Sequence, residues 1–429
     1  MTKQFSNHSN TDIRTAPSCA DDSDPESLSL DQAKARILAS VSGITQSIKR
    51  PLRDALGKIL AVDIISPIDV PNHKNAAMDG YALAGEDLPT QQTREYRIIG
   101  KALAGMPFKG CCKRGECVRI MTGATLPDGC DTVVMQEHVE LLPDAGVRLG
   151  RGHQLGQNVR HPGEDIRQGT TVLAAGRRLN PADLGVLASL GINEIWVKRP
   201  LRVAFCSTGD ELRSLGETLG AGEVYDSNRY TLYGMLQPLG VELLDFGVVA
   251  DEPALLETTL QQAAEVADVV ITSGGVSVGE ADYIKALLNH LGKVNFWKVA
   301  IKPGRPLAFG QLGKAQFFGL PGNPVAVMVT FLQLVQPALQ KMAGETGTSH
   351  QALLIEAICL SRLKKRPGRT EFQRGIVRQE EGHWVVEKTG HQGSGILSSM
   401  SRSNGLIILP EAAETIEPGD RVQVQVLNW

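Results

Sequence analysis

Hydrophobic and polar positions change rhythm several times along the chain. In LSLDQAKARILASV, residues 28–41, apolar residues recur at helical spacing, and Ser29 stands where an N-cap belongs, which predicts a short amphipathic helix that needs a partner surface. Residues 52–65 read as a helical turn and then a strand, stopped by Pro67 and Pro71. From Arg97 to Val147 short β-like segments alternate with Gly and Pro every few residues, the pattern of an all-β module. NPADLGVLASLG, residues 180–191, predicts a helix leading out of it.

Between Leu201 and Gly344 apolar strands alternate with helices. Strands are expected at 202–208, 241–249, 268–272, 296–301 and 306–310, and helices near 228–238, 253–266, 281–291 and 324–342. This alternation predicts βαβ units and a mostly parallel sheet covered on both faces, with ligands beyond the carboxyl ends of the strands. From about 352 onward five short β segments predict a small barrel or sandwich.

The centre of the chemistry is DVVITSGGVSVGEAD, residues 268–282. Val269 to Thr272 read as a buried strand, and Ser273, Gly274 and Gly275 break it into a turn whose backbone N–H groups can approach an anion, ahead of a helix starting near Gly279. Glu280 and Asp282 fall in that helix's first turn, suited to capping or to holding a divalent cation on a phosphate. Neither a Walker A loop nor a GxGxxG fingerprint occurs. Other polar loops follow the strands: Ser207 to Glu211, Asp251, IKPGRP at 301–306 and GLPGNP at 319–324. Met78-Asp79-Gly80-Tyr81 reads as an Asp-Gly hairpin turn or a functional carboxylate, and Gly163-Glu164-Asp165 as a second acidic turn.

Charge and cysteine narrow the class. The formal charge of −3 is accounted for by the first 26 residues, where Lys3 and Arg14 face Asp12, Asp21, Asp22, Asp24 and Glu26, so bulk charge argues against a nucleic-acid partner. The basic run Arg362 to Arg369 reads as a solvated face. Seven cysteines without paired CxxC spacing point to a reducing compartment, with Cys111, Cys112, Cys117 and Cys130 read as loosely placed thiols. No secretion signal is visible, the N-terminal 26 residues suit a disordered lead-in, and Val325 to Leu339 is too short an apolar stretch to span a bilayer. A soluble protein of a reducing compartment is expected.

AMDGYA, RIMTGA, GEDI, STGDEL, SGGVSVGEAD, IKPGRP, GLPGNPV, FQRG and GHQGS together resemble the MoeA-type molybdopterin molybdenumtransferases, which include the gephyrin E domain, from about residue 28 to the C-terminus. The resemblance implies hydrolysis of adenylylated molybdopterin in a Mg2+-dependent step, release of AMP, and insertion of molybdenum from molybdate into the dithiolene. It implies a multidomain α/β plus β fold: an N-terminal helix (27–46) on an α/β domain (197–350), a linking domain (47–68 and 168–196), a β-rich module (69–167) and a C-terminal β-barrel (351–429).

It also implies a homodimer whose active site lies between the α/β domain of one subunit and the β module of the other. Asp79, Thr122, Asp165, Glu211, Asp251 and Asp282 then carry catalysis, with Asp251 and Asp282 as metal ligands on adjacent loops. Ser273, Gly274, Gly275, Ser277, Lys302, Pro303, Arg305, Pro321, Gly322, Asn323, Arg374 and Ser394 bind the pterin, phosphates and molybdate. The adenylyltransferase that makes the substrate and the enzymes that receive the cofactor are expected protein partners; nucleic acid and membrane are not. Ala326 stands where many relatives carry Ser, which removes a hydroxyl contact to an anion. An adenylyltransferase, whose single domain resembles residues 197–344, a gephyrin-like scaffold and a dehydrogenase are the competing readings; the flanking domains, the lack of a fused partner domain and the missing fingerprint weigh against them in turn. Molybdate and tungstate are not distinguished.

Overall fold

The computed structural model describes residues 26–275, 281–347 and 352–427. It divides into two compact units, the described residues of Lys49–Leu56 with Leu60–Val197, and those of Met1–Ile48, Gly57–Ile59 and Lys198–Trp429.

The larger unit begins with helix α1 (Leu30–Ser40), closed by the capping box that Ser29 and Gln32 form reciprocally. Ala33, Ile37 and Val41 are buried in the main core, and Lys341 Nζ donates to Leu38 O at 2.6 Å, so the orphan amphipathic helix has its surface.

The smaller unit is built on a six-stranded sheet of β1 (Gly80–Leu83), β2 (Arg94–Ala102), β3 (Glu116–Ile120), β4 (Thr132–Met135), β5 (Val139–Leu142) and β6 (Gly146–Leu149), in the order β4-β1-β3-β2-β6-β5. Alternation along each strand fills one face with Ala82, Val118, Ile120 and Val133, and the other with Tyr81, Leu83, Cys117 and Val134. Helix α2 (Pro181–Ser189) of the same unit starts at Asn180 with a capping box to Asp183 and Pro at its first turn.

The larger unit continues with β7 (Arg202–Thr208), α3 (Ser227–Leu236), β8 (Glu242–Val249), α4 (Pro253–Val266), β9 (Val269–Ser273), α5 (Ala281–Leu291), β10 (Gly292–Lys298), β11 (Pro306–Leu312) and β12 (Ala315–Leu320). The sheet order is β8-β7-β9-β12-β11-β10, parallel through the first four strands and antiparallel across the last two pairings. The sequence pattern hides β12, since residues 315–320 read as the run into the GLPGNP loop. They form a hairpin with β11 instead, turned by Gly313 at φ 55° between Leu312 and Ala315. Chain reversal on either side of β7 makes the edge between β7 and β9 a topological switch point.

Residues 324–342 form one helical rod of α6 (Pro324–Thr330), a π turn at Phe331–Val335 and α7 (Gln336–Met342). It is long and apolar enough to cross a bilayer, contrary to the length argument above, but 72% of it is buried inside the protein, as expected of a core helix. Strands β13 (Leu354–Cys359), β14 (Thr370–Glu380), β15 (His383–Lys388), β16 (Gly405–Leu409) and β17 (Arg421–Val426) then close a five-stranded barrel, order β14-β15-β13-β17-β16, with β14 pairing back to β16. Ile301–Lys302 adds to β14 in parallel, which joins the barrel to the α/β part within this unit.

Candidate functional site

At the carboxyl edge of the parallel strands, a buried hydroxyl network ties the loops together. Ser207 Oγ at the end of β7 donates to Asp226 Oδ1 at 2.8 Å and lies 2.9 Å from Ser273 Oγ at the end of β9. Asp226 in turn caps α3 by accepting from the Arg229 N–H. The N–H of Gly274, at φ 93°, donates to Leu320 O, and a Cβ there would come within 2.4 Å of Thr208 O, so only glycine lets the loop pass this close to β7. Asn228 Nδ2 donates to Gly322 O at 2.7 Å, fixing the loop after β12 against α3. Ser273 is 1% exposed, so its hydroxyl serves this network. Asp226 and Asn228 were missed in the sequence; their signal was an Asp standing at the cap of the helix predicted near 228–238.

Asp251 follows β8 and its N–H donates to Asp210 Oδ1 at 3.0 Å; Glu211 is exposed beside Asp210. The strand order corrects one expectation: β7, with its Asp210–Glu211 loop, lies between the strands that lead to Asp251 and to Asp282, so those loops are not adjacent. The reason is the switch point, which sends the chain from β7 outward to β8 and back past β7 to β9. Asp282 falls in the first turn of α5, while Ser277 and Glu280, with the expected helix start at Gly279, lie outside the described residues. Among the described residues no group of three or more His, Cys, Asp or Glu is placed to hold a metal. A hard ion that takes one or two carboxylates plus phosphate oxygens still suits Asp210 and Asp251, which sit on neighbouring loops.

Beside this edge, in the same unit, a cleft of about 1180 Å³ opens between the α/β part and the barrel. It gathers Lys302, Pro303, Arg305, Pro321, Gly322, Asn323, Arg374 and Ser394 from four separated segments of chain. Nine Lys and Arg residues line it against the single carboxylate Glu371, which pairs with Lys302 at 3.2 Å. The basic run is therefore only in part a solvated face: Arg362, Lys364 and Arg366 are exposed. Arg362, Lys364, Lys365, Arg366 and Arg369 all line the cleft, and Lys365 (5% exposed) and Arg369 (9%) are buried in its wall, Lys365 donating to Arg366 O.

Arg374 is 1% exposed; Nε donates to Ser399 Oγ and Nη2 to Gly393 O, each at 2.9 Å. Burial pushes its pKa down to about 10. The Val325 N–H donates to Ser394 O at 3.0 Å, locking α6 to the barrel loop, and Ala326 faces the cleft from the next position.

In the smaller unit, Asp79 and Thr122 are brought together. The Thr122 N–H and Oγ1 both donate to Asp79 Oδ1 at 2.7 Å and hold its carboxyl below the usual carboxylate range. The Asp-Gly hairpin reading fails here. Gly80 opens strand β1, and a Cβ on it would come within 2.0 Å of Val134 O, so glycine serves close strand approach. Asp165 is exposed in a separate concavity of about 660 Å³ lined by residues 161–167 and 170–172.

The larger unit is thus an α/β enzyme fold with a cationic cleft suited to phosphate and oxyanion ligands, flanked by a β-barrel. Three family profiles match the chain in order: MoeA N-terminal region (domain I and II) at residues 28–191, probable molybdopterin binding domain at 204–341, and MoeA C-terminal region (domain IV) at 356–427. A molybdopterin molybdenumtransferase of Haemophilus influenzae is 44% identical over 94% of this chain and 99% of its own. Gephyrin of Dictyostelium discoideum is 32% identical over 93% of this chain and 62% of its own. The crystal structure of the molybdopterin biosynthesis moeA protein of Pyrococcus horikoshii superposes with a TM-score of 0.81 at 30% identity, covering 93% of this chain and 99% of that one. The chain belongs to the molybdopterin molybdenumtransferase family. It is a transferase of molybdenum cofactor biosynthesis.

Proposed function

We propose that the protein inserts molybdenum from molybdate into adenylylated molybdopterin, with Mg2+-dependent release of AMP. The observation that carries this reading is the cleft in which nine cations face one carboxylate, a charge balance matched to a ligand with two phosphates together with a tetrahedral dianion. Backbone N–H groups of Gly275, Gly322 and Asn323 serve the phosphates, Lys302 and Arg305 neutralise them, and Arg374 with Ser394 holds molybdate. Asp251 and Asp282, with Asp210 beside Asp251, would hold the Mg2+, which when bound neutralises phosphate charge and polarises the phosphoanhydride. Glu211 and Asp165 orient water for attack on phosphorus, and the ionised Asp79, fixed by Thr122, supplies a carboxylate that accepts a hydrogen bond from the substrate.

The same reading makes the working form a cytoplasmic homodimer in which Asp79 and Thr122 complete the partner's site, keeps the domain division given above, and draws the substrate-making adenylyltransferase and cofactor-receiving enzymes as transient partners. The test is AMP release from adenylylated molybdopterin with Mg2+ and molybdate. Release that stops on chelation and returns with Mg2+ supports the assignment, and release indifferent to both Mg2+ and molybdate refutes it.

A further inference from the structure

The first 26 residues carry the whole formal charge of the chain, and their densest part is DDSDPE at 21–26, four carboxylates with no cation among them. Residues 1–25 lie outside the described residues, but the structure shows where the chain leads on from them. The Leu28 N–H donates to Lys298 O at 2.8 Å, and the Ala300 N–H donates to Leu28 O at 2.7 Å. Leu28 thereby bridges Val299 in parallel, and Glu26 Oε2 lies 3.9 Å from Lys298 Nζ.

This seam adjoins the cationic cleft of the same unit. Lys298 pairs with Pro306 across β10 and β11, the Val299 N–H donates to Arg305 O, and the Thr370 N–H donates to Ala300 O. Arg305 and Pro306 line the cleft, as do Ile301 and Arg369, the chain neighbours of Ala300 and Thr370.

We propose that Asp21, Asp22 and Asp24 dock in this cleft when no anionic ligand fills it, and that phosphate-bearing ligands must displace them. Reach allows it. At about 3.3 Å per extended residue, Asp24 extends up to about 13 Å from Leu28 and Asp21 up to about 23 Å, enough to carry all three carboxylates into the cleft beside the seam. Charge favours it. Nine Lys and Arg residues line the cleft against Glu371, and Arg362, Lys364, Arg366 and Lys388 are exposed. Like charges gathered in one cleft repel one another, and carboxylates tethered beside them relieve that repulsion.

Docking rests on the cleft being an anion site, as read above, and is independent of molybdenum insertion. The docked segment is an internal competitor. For an effective concentration of about 1 mM and an intrinsic Kd on the order of 0.1 mM, docking is about 90% complete and weakens a competing anion about tenfold. Contacts between charged groups at the cleft mouth are screened by salt, so the competition fades as ionic strength rises.

The test uses the intact chain, with pyrophosphate as the probe. Carbodiimide coupling joins a carboxylate to an amine it touches; peptide mapping should then find Asp21, Asp22 or Asp24 linked to Lys302, Lys364 or Lys388, and saturating pyrophosphate should suppress these links. Calorimetry compares the wild type with a triple variant, Asp21→Asn, Asp22→Asn and Asp24→Asn, whose changes all lie ahead of α1 and its cap. The variant should bind pyrophosphate about tenfold more tightly at about 50 mM salt, and the difference should close toward about 0.5 M. Links from these aspartates only to lysines outside the cleft, or links that persist under pyrophosphate, would overturn the proposal. If both chains bind pyrophosphate equally, the anion site stands and the docking falls. If neither binds it, the anion site falls and the docking with it.

Discussion

Replacing Arg374 with Met keeps an unbranched apolar stem, shorter than that of Arg, and removes the charge. In the folded protein the guanidinium is nearly inaccessible, and its pKa falls from 12.5 to about 10 through burial. At 1.36 kcal/mol per decade, that is a cost of about 3 kcal/mol to keep the cation charged at neutral pH. For a base whose folded pKa is depressed, the sign is a penalty present below pH 10 that lifts as pH rises from there toward 12.5. Against it stand the hydrogen bonds to Ser399 Oγ and Gly393 O, of a kind that contributes about 1.5 to 3 kcal/mol each when one partner is charged. The two terms largely offset, so Arg374→Met should change stability without ligand by no more than about 3 kcal/mol.

Molybdate binding should respond more strongly. Losing one charge-assisted contact of about 1.5 to 3 kcal/mol weakens the dianion roughly 10- to 150-fold. The assay is a calorimetric molybdate titration, paired with thermal melts with and without saturating molybdate, in which the variant's melt should lose most of the ligand-induced rise. An unchanged molybdate affinity, with or without a loss of stability, would show that Arg374 only supports the barrel loop.

Three further outcomes are expected. Asp251→Asn and Asp282→Ala should each abolish AMP release at saturating Mg2+ while leaving circular dichroism unchanged; a wild-type rate in either would remove that residue from the metal set. Thr122→Val removes the hydroxyl donor but keeps the N–H, so the Asp79 pKa should rise toward 3.8, and the stability that Asp79 lends above its unfolded pKa should fade at a higher pH on acidification; carbon-detected NMR titration reads this, and an unmoved pKa contradicts it. Mixing inactive Asp79→Ala and Asp282→Ala chains should restore roughly a quarter of wild-type activity if Asp79 works across the dimer, since half the dimers are mixed and each has one intact site of two; no recovery despite proven subunit exchange places Asp79 in the site of its own chain.

Much of the architecture was legible because local signals agreed with global ones. Ser29 announces the start of α1, and apolar runs such as Val269–Thr272 mark strands buried on both faces. What escaped depended on strand pairing, which the local pattern does not show. β12 was not picked out because residues 315–320 run straight into the GLPGNP loop, and only the hairpin pairing with β11 makes them a strand. The loops of Asp251 and Asp282 seemed adjacent because strand order is not written in strand sequence. Arg362 to Arg369 looked like a solvated face because nothing local shows that Lys365 and Arg369 are buried in the wall of the cleft. Residues far apart in the chain, Lys302 and Glu371 among them, meet in the cleft only through the Ile301–Lys302 pairing with β14.

The most direct test of molybdenum insertion is a single turnover with protein in excess over adenylylated molybdopterin, followed by chromatography of AMP and metal analysis of the pterin fraction. The account predicts one AMP released and one molybdenum retained per pterin, both requiring molybdate and Mg2+. Complete AMP release with a pterin that carries no molybdenum would contradict it.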